Sequence, residues 1–157
     1  MTNALRFPAA APHTAAAFFA AELAFEADPD DVHRDLEAGN QEGYVLVETR
    51  APEAFEQARI PGAINLPYRD LPERLDLDPE LVYICYCESF QCNAATKGAL
   101  ALAQRGYRVK RLAGGITAWR DAGYPIEGDV TRQDTTQRDV APQDITGSDV
   151  SKVACHC

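Results

Sequence analysis

The stretch LVYICYCESFQCNAATKGALALAQRG (Leu81–Gly106) changes its periodicity halfway along. LVYICY is apolar and β-prone throughout, as expected of a strand covered on both faces of a parallel sheet. From Asn93 to Arg105 an alanine-rich helix follows, with Ala95, Ala99, Leu100, Leu102 and Ala103 available for burial and Gly106 as its stop. The loop Cys87–Cys92 therefore lies between the C-terminal end of a strand and the N-terminus of a helix.

The same alternation extends outward. YRVKRL (Tyr107–Leu112) reads as the next strand, and GGITAWRDAG (Gly114–Gly123) as a tight turn and helix. Upstream, YVLVE (Tyr44–Glu48) is a strand, and Ala51–Ala58 forms a helical turn or two. RIPGAINLP (Arg59–Pro67) is punctuated by Pro61, Gly62 and Pro67, which leaves a turn and a brief strand at Ala63–Asn65. A helix with Pro29 near its start carries Val32 and Leu36 on one face and stops at Gly39. Thr14 is the expected cap of an earlier helix, Ala15 to about Ala27, whose Phe18, Leu23 and Phe25 suit docking on a sheet. Beyond Gly128 neither period persists. The expectation is an α/β domain with a mostly parallel sheet over residues 29–127, preceded by a helical extension (1–28) and followed by a flexible tail (128–157).

A chain of 157 residues and 17.1 kDa accommodates one domain with a real core. Its net charge of −9 argues against nucleic acid or an anionic membrane as the main partner, and the acidic surplus lies in residues 1–80, with 16 acidic against 6 basic groups. Ala15–Ala24 is too short to span a bilayer, and acidic residues at 22, 26 and 28 argue against a signal sequence. Five cysteines, an odd number crowded locally, favour reactive or buried thiols in a reducing, cytoplasmic compartment over structural disulfides.

Three readings of Cys87 stand side by side: a nucleophile, an inert packed thiol, or a metal ligand. The helix N-terminus favours the first, because unpaired amides and the positive end of the helix dipole lower a thiol pKa by one to several units from about 8.5 and hold sulfur anions. Cys85, Cys87 and Cys92 lack the paired CxxC spacing of a zinc site. Cys85 reads as a small core residue. Cys92 reads either as helix-start packing or as a second thiol that resolves a persulfide or closes a disulfide with Cys87. The terminal Cys155, His156 and Cys157 leave open a metal, a sulfur-accepting thiol or no role. His13 and His33 read as surface groups, Trp119 and Tyr124 as packing. Gly114 and Gly115 lack the spacing of a dinucleotide fingerprint, and no cofactor or metal is expected.

Four landmarks together resemble the rhodanese-like domains: YVLVETR (Tyr44–Arg50), RIPGAINLP (Arg59–Pro67), YCESFQCNAATKGA (Tyr86–Ala99) and LAGGITAWRDAGYPI (Leu112–Ile126). The resemblance implies a three-layer α/β fold and a sulfurtransferase, with Cys87 as the catalytic cysteine that carries sulfane sulfur as a persulfide. It also implies a substrate-binding loop of Glu88, Ser89, Phe90, Gln91 and Cys92, supported by Arg50 and Asn93. Lys97, four residues beyond Asn93 on the helix and so on a similar face, is a further candidate support through its positive potential, or else a solvated helix residue. The partners implied are a small sulfur donor and a thiol acceptor, a protein cysteine included. Position 93 is Asn, which lacks the Cys-x5-Arg spacing and cation of phosphatases that share the fold.

The loop departs from thiosulfate sulfurtransferases in having no glycine and no side-chain cation, and in carrying Glu88 beside the cysteine. A carboxylate there is expected to raise the thiol pKa and repel thiosulfate. This motivates an alternative, a non-catalytic rhodanese-like sensing or protein-binding module. Arg59, Arg69 and Arg111 are candidates for a basic rim.

Overall fold

The computed structural model describes residues 2–129. A short 3-10 turn (Asn3–Leu5) precedes α1 (Pro12–Phe25), β1 (Glu26–Ala27), α2 (Pro29–Ala38) and β2 (Tyr44–Glu48). Then come α3 (Pro52–Gln57), β3 (Ile64–Asn65), β4 (Val82–Tyr86), α4 (Ala94–Gln104), β5 (Arg108–Leu112) and α5 (Gly115–Asp121). The strands form one parallel sheet in the order β1-β5-β4-β2-β3. After β2 the chain moves to β3 on one side, and after β4 to β5 on the other. The loops leaving β2 and β4 thus part at a switch point, where open α/β sheets place their sites.

Strand alternation sorts the core into two layers. Leu46, Ile84 and Tyr86 face one side and pack with Val32 of α2 and Ile116 and Trp119 of α5. Val47, Tyr83 and Cys85 face the other and pack with Ala94, Ala95 and Leu102 of α4. Close approach of α4 depends on Gly98, where an added Cβ would lie 2.6 Å from Cγ2 of the buried Thr49.

Helix α2 is built as its sequence dictates: the Asp28 carboxylate accepts from the Asp30 amide at 2.7 Å, and Gly39 ends it at φ 65°. Helix α1 differs from expectation at both ends. It starts at Pro12, so Thr14 is not its cap, and it stops at Phe25 because Glu26 and Ala27 pair with Arg111 and Leu112 of β5. Phe18, Leu23 and Phe25 are more than half exposed, so α1 lies beside the sheet edge without burying them. His33 is not a surface group: its ring stacks on Tyr124 at 3.9 Å and meets Trp119 edge-on at 5.7 Å. The expected tail falls outside the described residues from 130 onward, Cys155, His156 and Cys157 included. The Asp129 amide donates to the Glu56 carbonyl at 3.1 Å.

Trp119 is fully buried and its indole N–H donates to the Pro125 carbonyl at 2.8 Å, which ties α5 to the segment after it. Trp119→Ala is expected to lower the unfolding free energy by about 3–5 kcal/mol, measured by urea denaturation. A loss below about 1 kcal/mol would contradict this placement.

Candidate active site: the cysteine loop

The loop after β4 is held from behind by α5. The Ile116 amide donates to the Cys87 carbonyl and the Thr117 amide to the Glu88 carbonyl, both at 2.9 Å. Two orphan donors of the α5 first turn are thereby satisfied by the loop backbone. Only glycine permits this approach at position 115, where φ is 62° and a Cβ would lie 2.4 Å from the Cys87 carbonyl oxygen.

In front, the first turn of α4 supplies donors to the sulfurs. The peptide N–H groups of Ala95 and Ser89 act on Cys87, and those of Ala94 and Glu88 on Cys92. The two thiols act on each other, Cys92 raising the pKa of Cys87 and Cys87 lowering that of Cys92. The Cys87 thiol lies 3.1 Å from the Cys92 carbonyl oxygen as well.

The charge is distributed differently from the sequence expectation. Cys87 is only 2% exposed, and burial, reinforced by Cys92, pushes its thiol up to about 11 against the pull of the Ala95 and Ser89 amides. For Cys92, burial is outweighed by the Ala94 amide, the Cys87 thiol and the Glu88 amide, so its pKa is lowered. The pair titrates together, and the first negative charge settles on Cys92. A helix N-terminus does lower a thiol pKa here, but that of the second cysteine. Cys85 is fully buried, and burial followed by the neighbouring Cys87 pushes it up to about 12.

Glu88 does not face Cys87. Its carboxylate pairs with the Arg50 guanidinium and lies 3.8 Å from Arg120. Arg50 in turn grips the fully buried Glu48 carboxylate through Nε at 2.8 Å and Nη2 at 2.9 Å, and Nη2 also donates to the Ala58 carbonyl at 2.8 Å. Burial works against the Arg50 charge, but Glu48 and Glu88 outweigh it and hold the guanidinium above its usual range. The amide of Asn65 fastens this corner by donating to the Glu48 and Arg50 carbonyls at 3.0 Å each. Arg50 therefore supports the loop through Glu88, and the raised pKa of Cys87 has burial, not this carboxylate, as its main cause.

A cavity of about 30 Å³ opens beside the sulfurs, bounded by Cys87, Cys92, Ala95, Phe90, Arg111 and Gly114. Two larger hollows, about 280 and 370 Å³, do not touch either cysteine. Ser89 also borders the small cavity, and its hydroxyl donates to the Gln91 side-chain oxygen at 2.7 Å. The Phe90 ring is 79% exposed and sits over Gly114. Asn93 is exposed and makes no side-chain cap bond. Lys97 is exposed with Nζ 5.2 Å from the Tyr68 ring centroid, away from the cavity. Of the candidate rim cations, Arg111 borders the cavity, held by Thr96 Oγ1 at 2.9 Å and by Glu26. Arg59 instead approaches Glu127 and the Phe55 ring, and Arg69 the Tyr68 ring.

Among the described residues no group of three or more His, Cys, Asp or Glu side chains is arranged to hold a metal ion. None of the helices there is long and apolar enough to cross a membrane.

A family model described as Rhodanese-like domain matches residues 28–122. The chain is 36% identical over 95 residues to the HTH-type transcriptional regulator Rv0324 of Mycobacterium tuberculosis, covering 60% of this chain and 41% of the regulator. It is 36% identical over 104 residues to a sulfurtransferase of Allochromatium vinosum, covering 64% of this chain and 92% of that protein. Among solved structures, the BH2092 protein of Bacillus halodurans superposes with a TM-score of 0.71 at 38% identity, covering 75% of this chain and 87% of that one.

The inverted order of the two thiols has a direct readout. Near neutral pH, limited alkylation followed by peptide mapping is expected to label Cys92 well ahead of Cys87. Preferential labelling of Cys87 would overturn the charge assignment. Arg50→Met leaves the buried Glu48 carboxylate unpaired and is expected to cost about 3–5 kcal/mol in urea denaturation.

Proposed function

From its membership of the rhodanese-like domain family, to which this chain belongs, we propose that the protein is a sulfurtransferase that carries sulfane sulfur on Cys87. Similarity to sulfurtransferases supports the general class. The observation that carries the finer reading is the pair of peptide N–H groups, Ser89 and Ala95, turned toward the Cys87 sulfur beside a cavity of about 30 Å³. That volume is about the share of one water molecule in the liquid, and an added sulfur atom is of similar size. The substrate class is a small sulfane donor, R–S–S⁻, and the acceptor is a thiol.

In this reading Cys87 loses its proton to the neighbouring Cys92 thiolate and attacks the outer sulfur of the donor. A bond forms between the Cys87 sulfur and that sulfur, the S–S bond of the donor breaks, and R–S⁻ leaves with the electron pair. The departing group takes the proton from Cys92, which restores the Cys92 thiolate. Ser89 and Ala95 amides stabilise the charge on the sulfur bound to Cys87. An acceptor thiolate then takes the outer sulfur and releases Cys87.

The uphill proton transfer has a cost. Burial holds Cys87 up at about 11 while nearby amides hold Cys92 below the ordinary thiol value, so only a minor fraction of the pair carries its charge on Cys87. Sulfur loading is therefore slow near neutrality. A second reading, a thiol-sensing or protein-binding module without turnover, is favoured by the 2% exposure of Cys87.

Loading separates the two. Exposed to a polysulfide, the protein is expected to gain one sulfur on Cys87, seen by intact mass and peptide mapping, and to lose it to excess thiol. Cys87→Ser is expected to abolish the gain, and absence of the adduct across several sulfane donors would favour the module. The loading rate is expected to rise with pH as the Cys92 thiolate that takes the Cys87 proton forms, and to level off once it has formed, below the ordinary thiol value of 9.0. A rate that climbs without a break to about 11 would instead mean that Cys87 ionises without Cys92.

A further inference from the structure

Both thiols of the loop border the same small cavity, and the mechanism above uses Cys92 only as a proton acceptor. We propose that Cys87 and Cys92 form a sulfide-releasing dithiol centre, in which Cys92 attacks the Cys87 persulfide from within the loop, expels hydrosulfide and closes a Cys87–Cys92 disulfide that an external dithiol reopens. This rests on the reading that Cys87 carries sulfane sulfur.

Proximity comes from the way the loop folds back. The Cys92 amide donates to the Ser89 carbonyl at 3.1 Å, a turn that returns the chain toward its starting residue. The Cys87 thiol then donates to the Cys92 carbonyl oxygen at 3.1 Å, and both cysteines border the one cavity. The amides of Ala94 and Glu88 favour the charged form of Cys92, the form that attacks sulfur. Access points the same way. Cys87 is 2% exposed beside a cavity of only about 30 Å³, so an external thiol meets obstruction where Cys92 already borders the same space. Cys92 is half-buried, which leaves its sulfur as the side of the disulfide open to a reductant. Cys85 is fully buried and pushed up to about 12, which removes it as a competing thiolate.

The chemistry closes on itself. The Cys92 thiolate attacks the inner sulfur of the persulfide, a bond forms between the two cysteine sulfurs, and the bond from Cys87 to the outer sulfur breaks. The outer sulfur, protonated from water, leaves as HS⁻ with the electron pair. It is reduced by two electrons, and each cysteine sulfur is oxidised by one. The external dithiol then supplies two electrons and two protons, becomes a disulfide and restores both cysteines. The net reaction converts sulfane sulfur and a dithiol into hydrogen sulfide and a disulfide.

The test compares full-length protein with Cys92→Ser, the variant loaded with polysulfide at raised pH because it lacks the Cys92 base, its sulfur content confirmed by intact mass, and both then freed of excess donor and held at neutral pH without added thiol. The wild type is expected to release one hydrosulfide per loaded protein and to show a Cys87–Cys92 cross-linked peptide lighter by two hydrogens. Cys92→Ser is expected to keep its extra sulfur on Cys87 and release none until a thiol is added. If the wild type keeps the persulfide as long as the variant does, the resolving role of Cys92 is overturned while sulfur loading on Cys87 stands. A disulfide from Cys87 to Cys155 or Cys157 instead would also overturn it. If the wild type takes up no sulfur at all, it is the loading of Cys87, and hence the sulfurtransferase reading, that fails.

Discussion

The site depends on one backbone junction. Two loop carbonyls, those of Cys87 and Glu88, receive the Ile116 and Thr117 amides of α5, and the contact is close enough to exclude any side chain at position 115. The junction fixes where the loop leaves β4, and so which way its remaining amides face. With the carbonyls engaged behind, the N–H groups of Ser89, Ala94 and Ala95 are left for the sulfurs in front. The anion-binding character of the loop is therefore a property of peptide geometry, set by packing between β4, α4 and α5.

A charged corner supports the junction from the other side. Arg50 joins the buried carboxylate of Glu48 to the half-exposed carboxylate of Glu88, and so ties the end of β2 to the loop after β4. An acidic residue next to the cysteine looks hostile to anionic sulfur chemistry in one dimension. In three dimensions its charge is shared with Arg50 and Arg120, and although burial and that charge raise the Cys92 pKa, the Ala94 amide, the Cys87 thiol and its own main-chain donor outweigh them. A buried ion pair adds little net stability, but removing one partner leaves the other uncompensated, which makes the corner hard to alter piecemeal.

The sheet and the strand-loop-helix site were legible because their signals are local. LVYICY carries its strand character in its own side chains, and glycines mark the ends of α2 and α4. The two-residue strand β1 was not legible: Glu26 and Ala27 continue a helical composition, and their pairing depends on β5 and on Lys110, which donates to the Leu23 carbonyl at 2.9 Å. The packing of His33 was hidden for the same reason, since its partners Trp119 and Tyr124 lie far along the chain. In the site, the position of both cysteines was readable, but their relative acidity was not. That property depends on burial of one sulfur, on which amide reaches which thiol, and on where Glu88 turns. Lys97 looked like a neighbour of the loop by helical spacing, yet Tyr68 holds its ammonium elsewhere.

A binding ring made of peptide groups has donors that do not titrate and that survive side-chain replacement. Ser89, Phe90 and Gln91 contribute outward-facing chemistry to a loop whose inward chemistry is common to any residue with an N–H. On the sulfur-transfer reading proposed above, variation at these three positions retunes which molecules dock at the mouth and leaves the amide donors beneath in place, so that client choice and reactivity evolve as separate traits on the same short segment.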